Sequence, residues 1–257
     1  MSIVRRVGYL LALPLILIAV WWIVTAQSPS LYFPGPRSIG EQFVKTWIGP
    51  RFLTEVLPSL ARFLLGVILA IIIGTVSGVV IGSVRWLRKF TEPGLEFFRA
   101  IPPPILLPIL MIVLGINDTM RIAVIVTGCI WPVLLNTVEG VRAVDSVLAE
   151  TARTYGIGGA ARIRYLVVPS AAPQIMAGIR QCLSVGLILM IISEMFAASS
   201  GLGFSIVKFQ RTFAIPQMWS GILVLGLIGV AVAFLFQFLE RRVLRWYNGL
   251  KDTQNAA

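Results

Sequence analysis

Between Leu60 and Ser83 the chain runs for two dozen residues with one charge, Arg62. No other feature constrains the fold as strongly. A bilayer core about 30 Å thick needs about 20 apolar residues to cross as a helix. Inside lipid every backbone N–H and C=O must be satisfied within the segment, which leaves helices and closed barrels. Runs of this kind recur at about 7–26, 60–83, 95–115, 120–138, 179–198 and 218–238. The chain has 257 residues, 57% hydrophobic and 13% charged, against about 25% charged in soluble domains. The reading is an all-α membrane protein of six transmembrane helices forming a single domain over 1–257. The first run exceeds the 7–15 residues of a signal-peptide core, so it is expected to be an uncleaved anchor.

Charge sets the expected orientation. Six crossings put both termini on one side. Fifteen of the 22 Lys and Arg residues then fall on that side and seven on the other. Cytoplasmic loops carry such an excess, so the termini are expected inside. Arg85, Arg88 and Lys89 mark one inner loop, and Arg241, Arg242 and Arg245 mark the tail. The net charge of +11 is therefore orientation bias and not a nucleic-acid surface.

Some chemistry is excluded. The chain has no histidine, which removes imidazole catalysis and most zinc sites. Cys129 and Cys182 lie inside apolar runs and read as buried thiols. There is no G-x-x-x-x-G-K-[ST] loop to cradle a nucleotide, so no metal or cofactor is expected here. If ATP drives this protein, another chain hydrolyses it.

Within the runs three patterns stand out. Gly74, Gly78 and Gly82 strip one helix face so that a neighbour can approach. Pro102, Pro103, Pro104 and Pro108 must break the third run, and a broken helix is tolerated only where protein or a water-filled cavity receives the freed backbone. Ahead of the second run, Ser38-x-x-Glu41 reads as a capping box, and Ile39, Phe43 and Trp47 as the apolar face of a short helix on the outer interface.

The longest polar stretch between two runs is Glu150–Pro169, within an inner loop over 139–178. Asp145 is placed to cap a helix with Val147, Leu148, Thr151 and Tyr155 on one face, and Gly156 to stop it. A second short helix, Gly159 to Val168, is expected to end at Pro169. A structured helix–Gly–helix loop beneath a membrane domain suggests a docking surface.

This stretch resembles the cytoplasmic signature of type I ABC importer permeases: Glu-Ala-Ala, three residues, Gly, nine residues, Ile-x-Leu-Pro. The matching residues are Glu150, Thr151, Ala152, Gly156 and Leu166–Pro169, with Thr151, Leu166 and Val168 departing from the pattern. The runs FFRAIPPPILLPILMIVLGI, SEMFAASSGLGF and ERRVLRWYN are similar to the subgroup handling nitrate, sulfonates and taurine. The resemblance implies a homodimer in the bacterial inner membrane. It also implies two ATPase subunits beneath, carrying ATP and Mg, and an extracytoplasmic binding protein that delivers cargo. The 150–169 loop would be the coupling helix, with Glu150, Thr151, Ala152, Arg153, Gly156, Ile157, Arg162 and Pro169 as its residues. Ala152 would leave room for close approach, and Glu150, Arg153, Arg162 and Arg164 would pair with the ATPase. Glu150 could instead pair within the loop.

Pathway candidates follow from polarity inside runs. Glu194 is the one acid well inside a run. It is expected to pair with an outer cation such as Arg121 or Arg211, as a gate or as a structural bridge. For an anionic cargo the better ligands are Arg99, Thr127, Asn136 and Ser193. Two other classes are weighed. An ion-coupled secondary transporter should show inverted repeats and several intramembrane ionisable groups. A membrane enzyme should show a converging nucleophile or metal cluster. Neither pattern is evident.

Overall fold

The computed structural model describes residues 3–27, 30–247 and 249. Lys251, counted above with the inner cations, lies outside them. The described residues are helical, with no strand among them. In order the helices are α1 (Ile3–Gln27), α2 (Pro36–Trp47), α3 (Leu57–Ser83), α4 (Arg85–Ala100), α5 (Leu107–Leu114) and α6 (Asp118–Arg142). There follow α7 (Ser146–Thr154), α8 (Gly159–Arg162), α9 (Val168–Ala197), α10 (Leu202–Arg211) and α11 (Ile215–Val243). The chain forms two compact units, Met1–Pro58 with Ser199–Leu227, and Ser59–Ala198 with Ile228–Ala257.

In the first unit α2 begins at Pro36, behind Gly35 as N-cap. Proline's fixed φ and missing N–H suit a first helical turn, so the helix starts ahead of Ser38 and the expected capping box does not form. Glu41 instead accepts from Arg37 at 3.1 Å. The apolar face of α2 packs against protein, with Phe43 half-buried. Ile39 and Trp47 are buried. Trp47 Nε1 donates to Ser220 Oγ at 2.9 Å, and its ring meets Phe209 edge-on. A second aromatic group, Trp21, Phe33 and Trp219, packs at centroid distances of 5.6–6.3 Å.

In the second unit α3, α6 and α9 form the core. A Cβ on Gly74, Gly78 or Gly82 would stand 2.9, 2.6 or 2.8 Å from Val133, Thr137 or Val141 of α6. Gly66 extends the stripe against Ile125. On the other side of α6, Gly140 meets Gln174 and Gly178 meets Pro132 and Asn136 in the same manner. Without a hydrophobic difference between lipid and leucine, close backbone approach is what holds such helices together.

The third run departs from its expected bounds. The residues expected as a basic loop and the start of a span form one helix, α4. The chain is extended at Ile101–Pro102, passes a 3₁₀ turn at Pro103–Leu106, and resumes as α5. The two arms meet at 84°. Pro102–Pro104 thus break the helix as expected, whereas Pro108 lies in the first turn of α5, where its missing N–H costs nothing. The short turn after α5 is built on Asn117, which donates to the Leu114 carbonyl at 2.6 Å and accepts from the Met120 N–H at 2.9 Å, capping α6.

The expectation that Pro169 ends a helix is also corrected. A π-turn at Ile163–Val167 carries α8 straight into α9, with the Val168 N–H bonded to the Ile163 carbonyl. An i→i−5 bond widens the turn just ahead of Pro169 and accommodates a ring that would clash with an i−4 carbonyl. Phe52–Val56 does the same ahead of Pro58. The fifth run is therefore longer than 179–198: Gly159–Phe196 is one stretch of 38 residues. Arg180, expected at its inner edge, lies twelve residues past Val168, about 18 Å along the axis.

Among the described residues four stretches are long and apolar enough to cross a membrane: Phe52–Ser83, Asp118–Arg142, Gly159–Phe196 and Ile215–Val243. The bent pair makes a fifth if its arms form one crossing. Helix α1 is apolar over Ala12–Gln27, short of that length.

Candidate functional site: a docking turn, a buried charge network and a polar cavity

The polar turn is held by local chemistry. Asp145 accepts from the Leu148 N–H at 3.0 Å and starts α7. At the other end the Ile157 N–H bonds to the Ala152 carbonyl at 2.8 Å and the Gly156 N–H to the Arg153 carbonyl at 3.0 Å. This paired closure requires a left-handed residue, and Gly156 has φ +69°. The turn thus presents a hydrogen-bonded outer face. Val147 and Tyr155 are 66% and 79% exposed, and Glu150, Arg153 and Arg162 are exposed beside them. Glu150 has no cationic partner among the described residues, so the alternative of a pair within the loop is not realised. The Thr151 hydroxyl donates to the Val147 carbonyl at 2.7 Å, and Ile157 remains 40% exposed. Ala152 is buried, so its small side chain packs within the chain. Pro169 is half-buried in the first turn of α9.

Glu194 lies near the end of α9 and is fully buried. Its carboxylate accepts from Ser59 Oγ at 2.7 and 2.8 Å and from Arg62 Nη1 at 2.8 Å. Arg62 Nε donates to Asp118 Oδ1 at 2.9 Å, and Arg121 Nη1 donates to the same oxygen at 2.6 Å. Two acids and two arginines tie the starts of α3 and α6 to the end of α9. Of these groups only Asp118 is well exposed. The direct partner of Glu194 is therefore Arg62, one link nearer than Arg121; Arg211 is an exposed residue of the other unit. Reading the sequence missed Arg62, Ser59 and Asp118 here. The available signal was Arg62 as the only charge in its run.

A cavity of about 700 Å³ opens beside the broken helix. Gly128 lets Pro103 pack on α6, since a Cβ there would stand 3.0 Å from the proline ring. Arg99, Asn136, Arg180, Gln181 and Ser184 supply the polar lining, and Trp131 part of the apolar wall. Arg99 pairs with Glu96 at 2.5 Å, and Arg180 pairs with Glu240 of α11. Asn136 Nδ2 donates to the Pro132 carbonyl at 2.7 Å. Of the five pathway candidates, the structure gathers Arg99 and Asn136 here and places Glu194 in the charge network. Thr127 and Ser193 spend their hydroxyls on their own helices, at the Val124 and Met190 carbonyls, and do not line the cavity. Arg180, Gln181 and Ser184 were missed because a run over 179–198 puts them at its inner edge, whereas α9 starts at Val168 and carries them well along the helix. Two guanidiniums with amide and hydroxyl donors make chemistry suited to an oxyanion. No cluster able to hold a metal ion occurs among the described residues, and both cysteines are free and buried.

These features describe a multi-pass helical membrane protein. Residues 66–245 match the family of binding-protein-dependent transport system inner membrane components. The chain belongs to that family, whose members are membrane permease subunits of ABC transporters. It is 30% identical over 226 residues to a probable ABC transporter permease protein of Brucella melitensis, covering 88% of this chain and 92% of the relative. It is 30% identical over 240 residues to the taurine transport system permease protein TauC of Escherichia coli, covering 90% and 87%. Its fold is similar to a chain from the inward-facing MetNI methionine ABC transporter, with a TM-score of 0.64 at 20% identity over 74% of this chain and 94% of that one.

Proposed function

We propose that this chain is the membrane-spanning subunit of an ATP-driven importer for a small oxyanion such as a sulfonate, taurine or nitrate. Two copies supply the pathway, and the two compact units of each act together as one permease domain. Each copy crosses six times with its termini inside, counting α1 and the Pro103–Leu114 arm of the bent pair as crossings. An extracytoplasmic binding protein delivers the cargo. Two ATPase subunits on the cytoplasmic face carry the ATP and Mg, and this chain is not an enzyme.

The observation that carries the reading is the turn around Gly156. A helix capped at both ends leaves Val147, Tyr155 and Glu150, which has no cationic partner among the described residues, facing outward, which is costly for a mere connector and useful for docking. ATP binding in the partner would shift the population between inward- and outward-open states through this turn. The cavity beside Pro103, with Arg99 and Arg180, supports an anionic cargo, and kinship with TauC supports taurine or a similar sulfonate.

Co-purification with an ATPase subunit and ATP-dependent uptake in vesicles test the assignment. Uptake by this chain with no ATPase present would sink it. In the complex, Glu150→Lys is expected to abolish cargo-stimulated ATP hydrolysis while the protein still inserts. Unchanged stimulation would count against docking through this turn.

A further inference from the structure

No residue of α4 is buried, yet its 16 residues are sharply sorted. At 100° per residue, Trp86, Phe90 and Phe97 share one side, and Arg85, Arg88, Lys89, Glu92, Glu96 and Arg99 occupy the other. The three aromatic rings are 70%, 71% and 64% exposed, and Trp86 stacks on Phe90 at 5.6 Å. Such a face would not be left to water. Two observations say what covers it. First, α4 follows the membrane-length helix α3 after one residue, and lies at 84° to the Pro103–Leu114 arm. That arm is apolar, with Ile105, Ile109, Ile112 and Val113 all exposed, as suits a segment immersed along the hydrocarbon. A helix perpendicular to it lies in the membrane plane. Second, the first turns of α4 carry Arg85, Arg88 and Lys89 before any acid, and Lys89 and Arg88 flank the apolar arc. From there long side chains cover apolar surface and reach phosphate. Lysine is depleted in protein–protein interfaces, which disfavours a second copy as the cover.

We propose that α4 is an interfacial helix. It seats Trp86, Phe90 and Phe97 at the boundary of the acyl chains and binds anionic lipid headgroups through Arg85, Arg88 and Lys89. Phe98, stacked on Trp131 of α6 at 6.2 Å, links the lipid-seated helix to the wall of the polar cavity. The inference rests on membrane insertion of the chain and not on the identity of the cargo.

Nitroxide labels on the full chain in vesicles test it, with native Cys129 and Cys182 buried and out of reach. A label at Phe90→Cys is expected to collide mainly with dissolved oxygen, and one at Glu92→Cys mainly with a water-soluble nickel chelate. A Phe90→Cys label shielded from both would mean a protein cover and overturn the proposal, as would a label open to nickel. Retention of phosphatidylglycerol over phosphatidylcholine, read by mass spectrometry of the isolated protein, tests the headgroups. Replacing Arg85, Arg88 and Lys89 by glutamine is expected to lower the preference by about fivefold per cation removed. Arg85→Lys with Arg88→Lys is expected to keep it. A preference unchanged in the glutamine variant would overturn the headgroup assignment.

Discussion

Glu194 concentrates the energetics of this protein into one carboxylate. A charge in the low-dielectric interior persists only if paired and hydrogen-bonded, and Ser59 and Arg62 do both. Glu194→Gln leaves Arg62 with a weaker buried partner. Removing one member of such a pair typically costs about 3–5 kcal/mol. The expected outcome is a clear fall in thermal stability in detergent, partly restored by adding Arg62→Met, which removes the buried guanidinium whose carboxylate on α9 has been neutralised. If the network also gates the outer end, uptake should fall further than stability alone explains. Equal losses would make it a structural bridge. Gly78 is the other residue on which much depends. A Cβ there would stand 2.6 Å from Thr137 Cβ and 2.8 Å from the Leu134 carbonyl oxygen, and backbone cannot move aside. Gly78→Leu is expected to destabilise by at least about 1–3 kcal/mol, the usual range for overpacking. Gly94→Leu, in open space, should be neutral by the same melting measurement.

Among the elements, the α7 turn and the broken α4–α5 pair show how local chemistry sets shape. Gly156 at φ +69° closes α7, and only glycine or, less well, asparagine takes that conformation cheaply. Gly156→Asn is expected to retain most cargo-stimulated ATP hydrolysis in the complex. Gly156→Val, which is β-branched and poorly suited to φ above zero, should lose it while the membrane helices still fold. A valine variant with full stimulation would show that the turn's shape is dispensable. The proline run shows the other side. Pro102–Pro104 announce a break, but its angle and the packing of Pro103 on Gly128 depend on a helix distant in sequence.

For the molecule as a whole the consequence is a cavity that no single run encodes. Arg99 comes from α4, Asn136 from α6, and Arg180 with Ser184 from α9. If the cargo is an oxyanion that passes here, Arg180→Gln should weaken uptake about tenfold or more, as loss of a charge-assisted hydrogen bond implies. Arg180→Lys should recover part of it. Uptake measured against cargo concentration, with the binding protein saturating, separates this from a delivery defect. An unchanged Arg180→Gln transporter would remove the cavity from the pathway.

Much of this was legible in one dimension. Apolar length dictated helices because lipid offers the backbone no other partner. The spacing of Gly74, Gly78 and Gly82 announced a contact face, and Asp145 and Gly156 marked the ends of α7 because caps are local chemistry. Helix ends next to proline were misjudged. Pro169 does not stop the helix, because the i→i−5 bond from Val168 to Ile163 opens the turn ahead of it, and residue type alone does not announce that bond. The same holds for charge. Arg62 and Arg180 look in sequence like boundary residues of their runs. Only the packing of α3, α6 and α9 turns one into the buried partner of Glu194 and the other into the wall of a cavity. An ion pair is a statement about distance in space, and residues 132 positions apart acquire that distance only when the helices have met.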